Sequence, residues 1–154
     1  MTLHLGDDHT RVDVDGQHHI IPLGVVNLST SELGTDPPRP EELTNAIGLV
    51  TDYLDDMLRE LPAAADPDEV AIAGDPAIAI AAVEVGGTPS WPLSLTRAAV
   101  EDVFRTVATE SKAERALNPG LPADAVDMIV AACCIVVGVM RYLHLGVVDV
   151  GSPA

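Results

Sequence analysis

Basic residues are scarce. The 154-residue chain holds 8 Lys and Arg against 24 Asp and Glu, a formal net charge of −16, and Lys112 is its only lysine. Such a surface repels phosphate backbones and anionic lipid headgroups, which excludes nucleic acid and membrane surfaces as partners. Aromatic residues make up 3%, too few for a stacking platform under bases or sugars. The two cysteines, Cys133 and Cys134, are adjacent in an apolar run and lack the spacing of a zinc site or a redox pair. They read as buried free thiols of a cytoplasmic protein. The N-terminus has neither a basic region nor an apolar stretch of a secretory signal. The longest apolar stretch, 128–140, is too short to span a bilayer.

What is present is core material. Apolar residues make up 47% of the chain, enough to bury one core without disulfides or a structural metal, and residues 1–154 read as a single domain. Short alternating segments at Leu3–Leu5, Thr10–Val14 and His18–Leu23, with Asp15-Gly16 as a hairpin turn, predict a three-stranded antiparallel meander. Residues 40–61 predict a long amphipathic helix. Pro40 and the acidic pair Glu41 and Glu42 suit its first turn, and Leu43, Ala46, Ile47, Val50, Leu54, Met57 and Leu58 recur at helical spacing. A strand over 69–74, a small apolar helix over 75–83, a helix after Thr96, a capping box at Ser111–Glu114, a buried helix over 125–143 and a strand at 147–150 follow. The string is an α/β layer fold. Ser29–Glu32 reads as helix capping, since no nucleophile-turn pattern surrounds it.

Five segments in order carry a resemblance: Pro22-Leu23-Gly24-Val25-Val26, Asp36 to Leu43, Val70 to Gly74, Ala113 to Leu121, and Asp127 to Ala132. The chain resembles the second, C-terminal lobe of the exopolyphosphatase and guanosine-pentaphosphate phosphatase (Ppx/GppA) family. That resemblance implies a ribonuclease H-like, actin-like ATPase lobe: the meander, then alternating helices and strands. It also implies a phosphate loop at Gly6, Asp7, Asp8, His9 and Thr10 and a second anion turn at Gly74 and Asp75. Both depart from the family's pattern. Aspartates replace loop glycines, and Pro76 removes a backbone donor at the second turn. The family's first lobe, with its own phosphate loop and catalytic glutamate, has no counterpart here.

The expectation is therefore a catalytically degenerate domain acting as a binding or regulatory module, with no catalytic residue and no cofactor. A homodimer or a protein partner is expected to cover the surface that the first lobe would occupy. Two alternatives stand beside it. One is a phosphohydrolase half, dependent on Mg²⁺, whose first lobe comes from another chain. The other is a small metal-binding hydrolase, holding Zn²⁺ or Mn²⁺ on His4, Asp8 and His9, with Asp7 beside them and His18 and His19 nearby.

Overall fold

The computed structural model describes residues 1–153. Three strands open the chain: β1 (Thr2–Leu5), β2 (Thr10–Val14) and β3 (Gln17–Ile21). They form the expected antiparallel meander, Leu3 opposite Val12 and Val12 opposite His19. Asp15 and Gly16 both take positive φ, +49° and +75°, which gives the turn the twist that a two-residue hairpin needs.

Two helices follow, α1 (Val25–Glu32) and α2 (Pro40–Glu60). Strand β4 (Ala71–Ala73) leads into α3 (Asp75–Val85), and strand β5 (Leu93–Thr96) into α4 (Arg97–Thr109). A short α5 (Lys112–Arg115), the long α6 (Ile129–Tyr142) and β6 (Val147–Val150) complete the order. The caps behave as their residues suggest. Thr96 Oγ1 accepts from the Ala99 amide at 3.1 Å, and Ser111 and Glu114 bond each other's amides reciprocally.

The sequence reading misses two elements. Helix α1 lies where only capping was expected. Ser29 and Thr30 are inside it, their hydroxyls donating to the Val25 and Val26 carbonyls four residues back. Strand β5 pairs antiparallel with β6, about fifty residues later, so no local pattern announces it. The start of the buried helix also moves: a 3₁₀ turn at Ala123–Ala125 precedes α6.

All six strands form one sheet in the order β3-β2-β1-β4-β6-β5, with β1, β4 and β6 mutually parallel. The connection from β3 to β4 carries α1 and α2, and β4 reaches β6 by way of α3, the edge strand β5 and α4 to α6. The helices gather on one face. That face carries Leu3, Leu5, Val12, Val14, Ile21, Ile72, Leu95, Val148 and Val150, all buried. The other carries Thr2, His4, Arg11, Asp13, His18, Ile20, Ala71, Ala73, Ser94, Thr96, Val147 and Asp149, and none of these is buried.

Helix α6 is the hub of the helical layer. Every residue from Ile129 to Met140 is buried, and α1, α2, α3 and α4 all pack on it. Gly138 allows the close crossing with α2, since a β-carbon there would meet Val50 Cγ1 at 2.9 Å. Cys133 and Cys134 are free and buried in this helix, as expected. Burial pushes the Cys134 thiol up to about 12 and that of Cys133 well above the ordinary range. Among the described residues, no helix is long and apolar enough to cross a membrane.

Candidate functional site

In open α/β sheets, ligands bind outside the carboxyl ends of parallel strands. Here β1 ends at Leu5 and its parallel neighbour β4 at Ala73, with His4 opposite Ala73. The register therefore brings loop 6–9 and the turn at Gly74–Asp75 to one edge of the sheet. The two anion turns implied by the resemblance are neighbours in space.

Backbone packing dominates this edge. Gly74 takes φ +103°, a conformation open to glycine, and a β-carbon on it would lie 2.7 Å from the Leu5 carbonyl oxygen. Gly24, just before α1, is tighter still: its β-carbon would meet the Asp7 carbonyl at 2.3 Å and the Gly6 carbonyl oxygen at 2.4 Å. The first amides of α1 donate into the same loop, Val25 to Gly6 O at 2.9 Å and Val26 to Asp7 O at 2.9 Å. These are the amides that a helix N-terminus would offer an anion, and the loop's own carbonyls occupy them.

Side chains tie the loop further. Asn27 Oδ1 accepts from the Gly24 amide at 2.7 Å, and its Nδ2 donates to the Asp8 carbonyl at 2.9 Å. Thr10 is buried, and its hydroxyl donates to the Leu23 carbonyl at 2.8 Å. The Gly6 amide donates back to His9 O at 3.0 Å. Gly24, quoted in sequence for the resemblance alone, and Asn27 are the members of this edge that the sequence reading did not place in the site. The signal was an amide side chain three residues after the glycine that opens α1.

Asp7, Asp8, His9 and Asp75 are exposed at the edge. Each carboxylate opposes a phosphate charge about 4 Å away by about 1 kcal/mol in water, and by more where water is excluded. Pro76 stands second in α3 and supplies no amide donor. The chemistry of this edge is acceptor-rich.

The zinc set of His4, Asp8 and His9 is not assembled. Strand alternation turns His4 onto the helix-free face, where its Nε2 lies 3.1 Å from Asp13 Oδ2. Arg11 also pairs with Asp13, and the guanidinium hydrogen bond holds that carboxyl below its ordinary range. His19 pairs with Glu60 of α2 instead. Among the described residues, no three His, Cys, Asp or Glu side chains converge as metal ligands.

Comparison with known proteins agrees with this architecture. No family model matches the sequence, and no curated protein sequence does. Solved structures match it closely in fold. The type II variant of the Aquifex aeolicus Ppx/GppA phosphatase superposes with a TM-score of 0.88 at 20% identity, covering 99% of this chain and 52% of that one. A Cytophaga hutchinsonii exopolyphosphatase gives 0.81 at 12% identity, covering 98% and 52%. An exopolyphosphatase-like protein gives 0.83 at 15%, covering 96% and 53%. The chain thus has the actin-like fold of a Ppx/GppA half-molecule and spans about half the length of these proteins.

Proposed function

We propose that this chain is a non-catalytic domain of the Ppx/GppA fold that works by binding, as a regulatory module. The observation that supports it is the edge at β1 and β4. The α1 amides there are bonded to loop carbonyls, and three aspartates stand where a phosphate would have to enter. The protein contact assigned to the domain is a second copy of itself across the helix-free sheet face. In a chain of net charge −16, that face carries only two carboxylates, Asp13 and Asp149, and Arg11 pairs with the first. Two copies meeting there bring little like charge together.

The test is a thermal-shift titration with polyphosphate and with ppGpp, each with and without Mg²⁺, beside sedimentation at rising protein concentration. A ligand at a hundred times its dissociation constant stabilises the native state by about 2.7 kcal/mol, a readily measured shift. No shift is expected, and a concentration-dependent dimer is. A Mg²⁺-dependent shift would overturn the reading in favour of a phosphohydrolase half completed by another chain. That alternative draws on the adjacency of Gly6 and Gly74 at one sheet edge. Strictly monomeric sedimentation would remove the self-contact.

A further inference from the structure

The sheet ends in two edge strands, β3 and β5. Edge strands are ordinarily guarded by charge, proline, a bulge or shortness, because their outer backbone groups can pair with another chain. Strand β5 is short and follows Pro92 directly. Strand β3, Gln17-His18-His19-Ile20-Ile21, holds no lysine, arginine, carboxylate or proline. It pairs with β2 residue for residue, so no bulge bends it.

The two-residue turn at Asp15-Gly16 makes Val14 and Gln17 a hydrogen-bonded pair, and bonded and open pairs alternate from there. Gln17, His19 and Ile21 therefore bond β2, while His18 and Ile20 turn their N–H and C=O outward. Among the described residues, no other group bonds these four positions. Beside them, the Ile20 side chain is 46% exposed on the helix-free face.

Helix α2 sets the charge along this edge. Glu60 Oε2 lies 3.2 Å from His19 Nδ1, so one flank of the helix faces β3. The opposite flank faces α6, where the Tyr142 hydroxyl donates to Asp55. Asp52, Asp56 and Glu60 recur every fourth residue, on the flank away from α6, and all three are exposed. Arg59 offsets one of them, at 3.0 Å from Asp56. Two copies joined at β3 would bring these carboxylates together, so the edge calls for a partner of opposite charge.

We propose that β3 takes up an extended basic segment of a partner protein as an antiparallel seventh strand. Its backbone pairs with His18 and Ile20. Strand alternation sends every second side chain toward α2, where lysine or arginine meets Asp52, Asp56 and Glu60. The side chains between them lie on the helix-free face, where a β-branched residue covers Ile20. This contact is separate from the self-contact across that face and uses the edge alone.

The test is an amide NMR and hydrogen-exchange titration of the whole chain with a short, capped peptide of alternating lysine and valine. One control peptide has glutamate for lysine. A second is N-methylated at its valines, which keeps the charge and removes the N–H groups that would pair. The lysine peptide is expected to give saturable shifts confined to β3 and the second half of α2, slowed exchange of the His18 and Ile20 amides, and weaker binding as salt rises. Each control should bind at least about tenfold more weakly. Asp52→Lys combined with Asp56→Lys, at exposed positions, should weaken the lysine peptide by about tenfold and leave the amide spectrum of the core unchanged. Absence of saturable shifts, equal binding of either control, or unaltered binding to the double variant would each overturn the proposal. So would slowed exchange of His18 and Ile20 at rising protein concentration without peptide, which would give the edge to a second copy.

Discussion

Gly74 lies so close to Leu5 that a β-carbon on it would sit 2.7 Å from the Leu5 carbonyl oxygen. Contact and φ therefore demand glycine together, whether or not an anion ever visits the turn. Gly74→Ala should cost about 1–3 kcal/mol, because it adds a left-side backbone penalty to a steric one. At about 3 °C per kcal/mol for a chain of this size, the melting temperature should fall by roughly 3–9 °C. Differential scanning calorimetry of the variant checks this, and an unchanged transition would show that the turn relaxes freely.

Gly48 is the counter-case. It is an exposed interior residue of α2, and nothing lies within 4 Å of where its β-carbon would be. Gly48→Ala should stabilise the chain by about 0.5–1 kcal/mol through helix propensity alone. Urea denaturation at neutral pH would register the gain as a higher midpoint with an unchanged slope.

Glu42 predicts an acid response. Its carboxylate accepts from the amides of Gly34 at 2.6 Å and Arg39 at 3.0 Å, and also from Thr35, with the Thr35 hydroxyl the leading cause of a pKa lowered from 4.5 to about 2. Since the folded value lies below the unfolded one, the stabilisation is complete above about pH 4.5 and fades as pH falls toward 2. Glu42→Gln should be less stable than the parent at pH 7, and the gap should close in that acid window. Paired denaturation curves at pH 7 and at pH 3 measure it; a gap independent of pH would sink the assignment.

The thiols predict silence. Cys133 and Cys134 are buried, and burial disfavours both thiolates. Ellman's reagent should leave the native chain unlabelled at pH 8 and label two thiols in guanidinium. Fast native labelling of either cysteine would mean that α6 opens locally.

Much of this architecture was legible in sequence because its signals are local. Helix α2 shows in Leu43 to Leu58 at helical spacing, and the hairpin shows in Asp15-Gly16. Helix α1 was hidden because five of its eight residues are polar and two of its hydroxyls serve its own carbonyls. Strand β5 was hidden because its partner β6 is remote. The site divides in the same way. Loop 6–9 and the Gly74 turn were readable one at a time, yet their adjacency depends on β1 pairing with β4 across about seventy residues. The metal trio of His4, Asp8 and His9 is not assembled because closeness in sequence, from a strand into its loop, is not closeness of side chains. With Leu3 and Leu5 pointing into the core, His4 had to point the other way.

The central position of α6 has a bearing on biosynthesis. The four helices that pack on it precede it in the chain, and β6, which seats against β4, follows it. A growing polypeptide holds residues 1–128 without the element that closes their apolar faces. The nascent meander and α2 must therefore wait, half-assembled, until α6 has emerged from the ribosome. In that interval their apolar faces are open to chaperones.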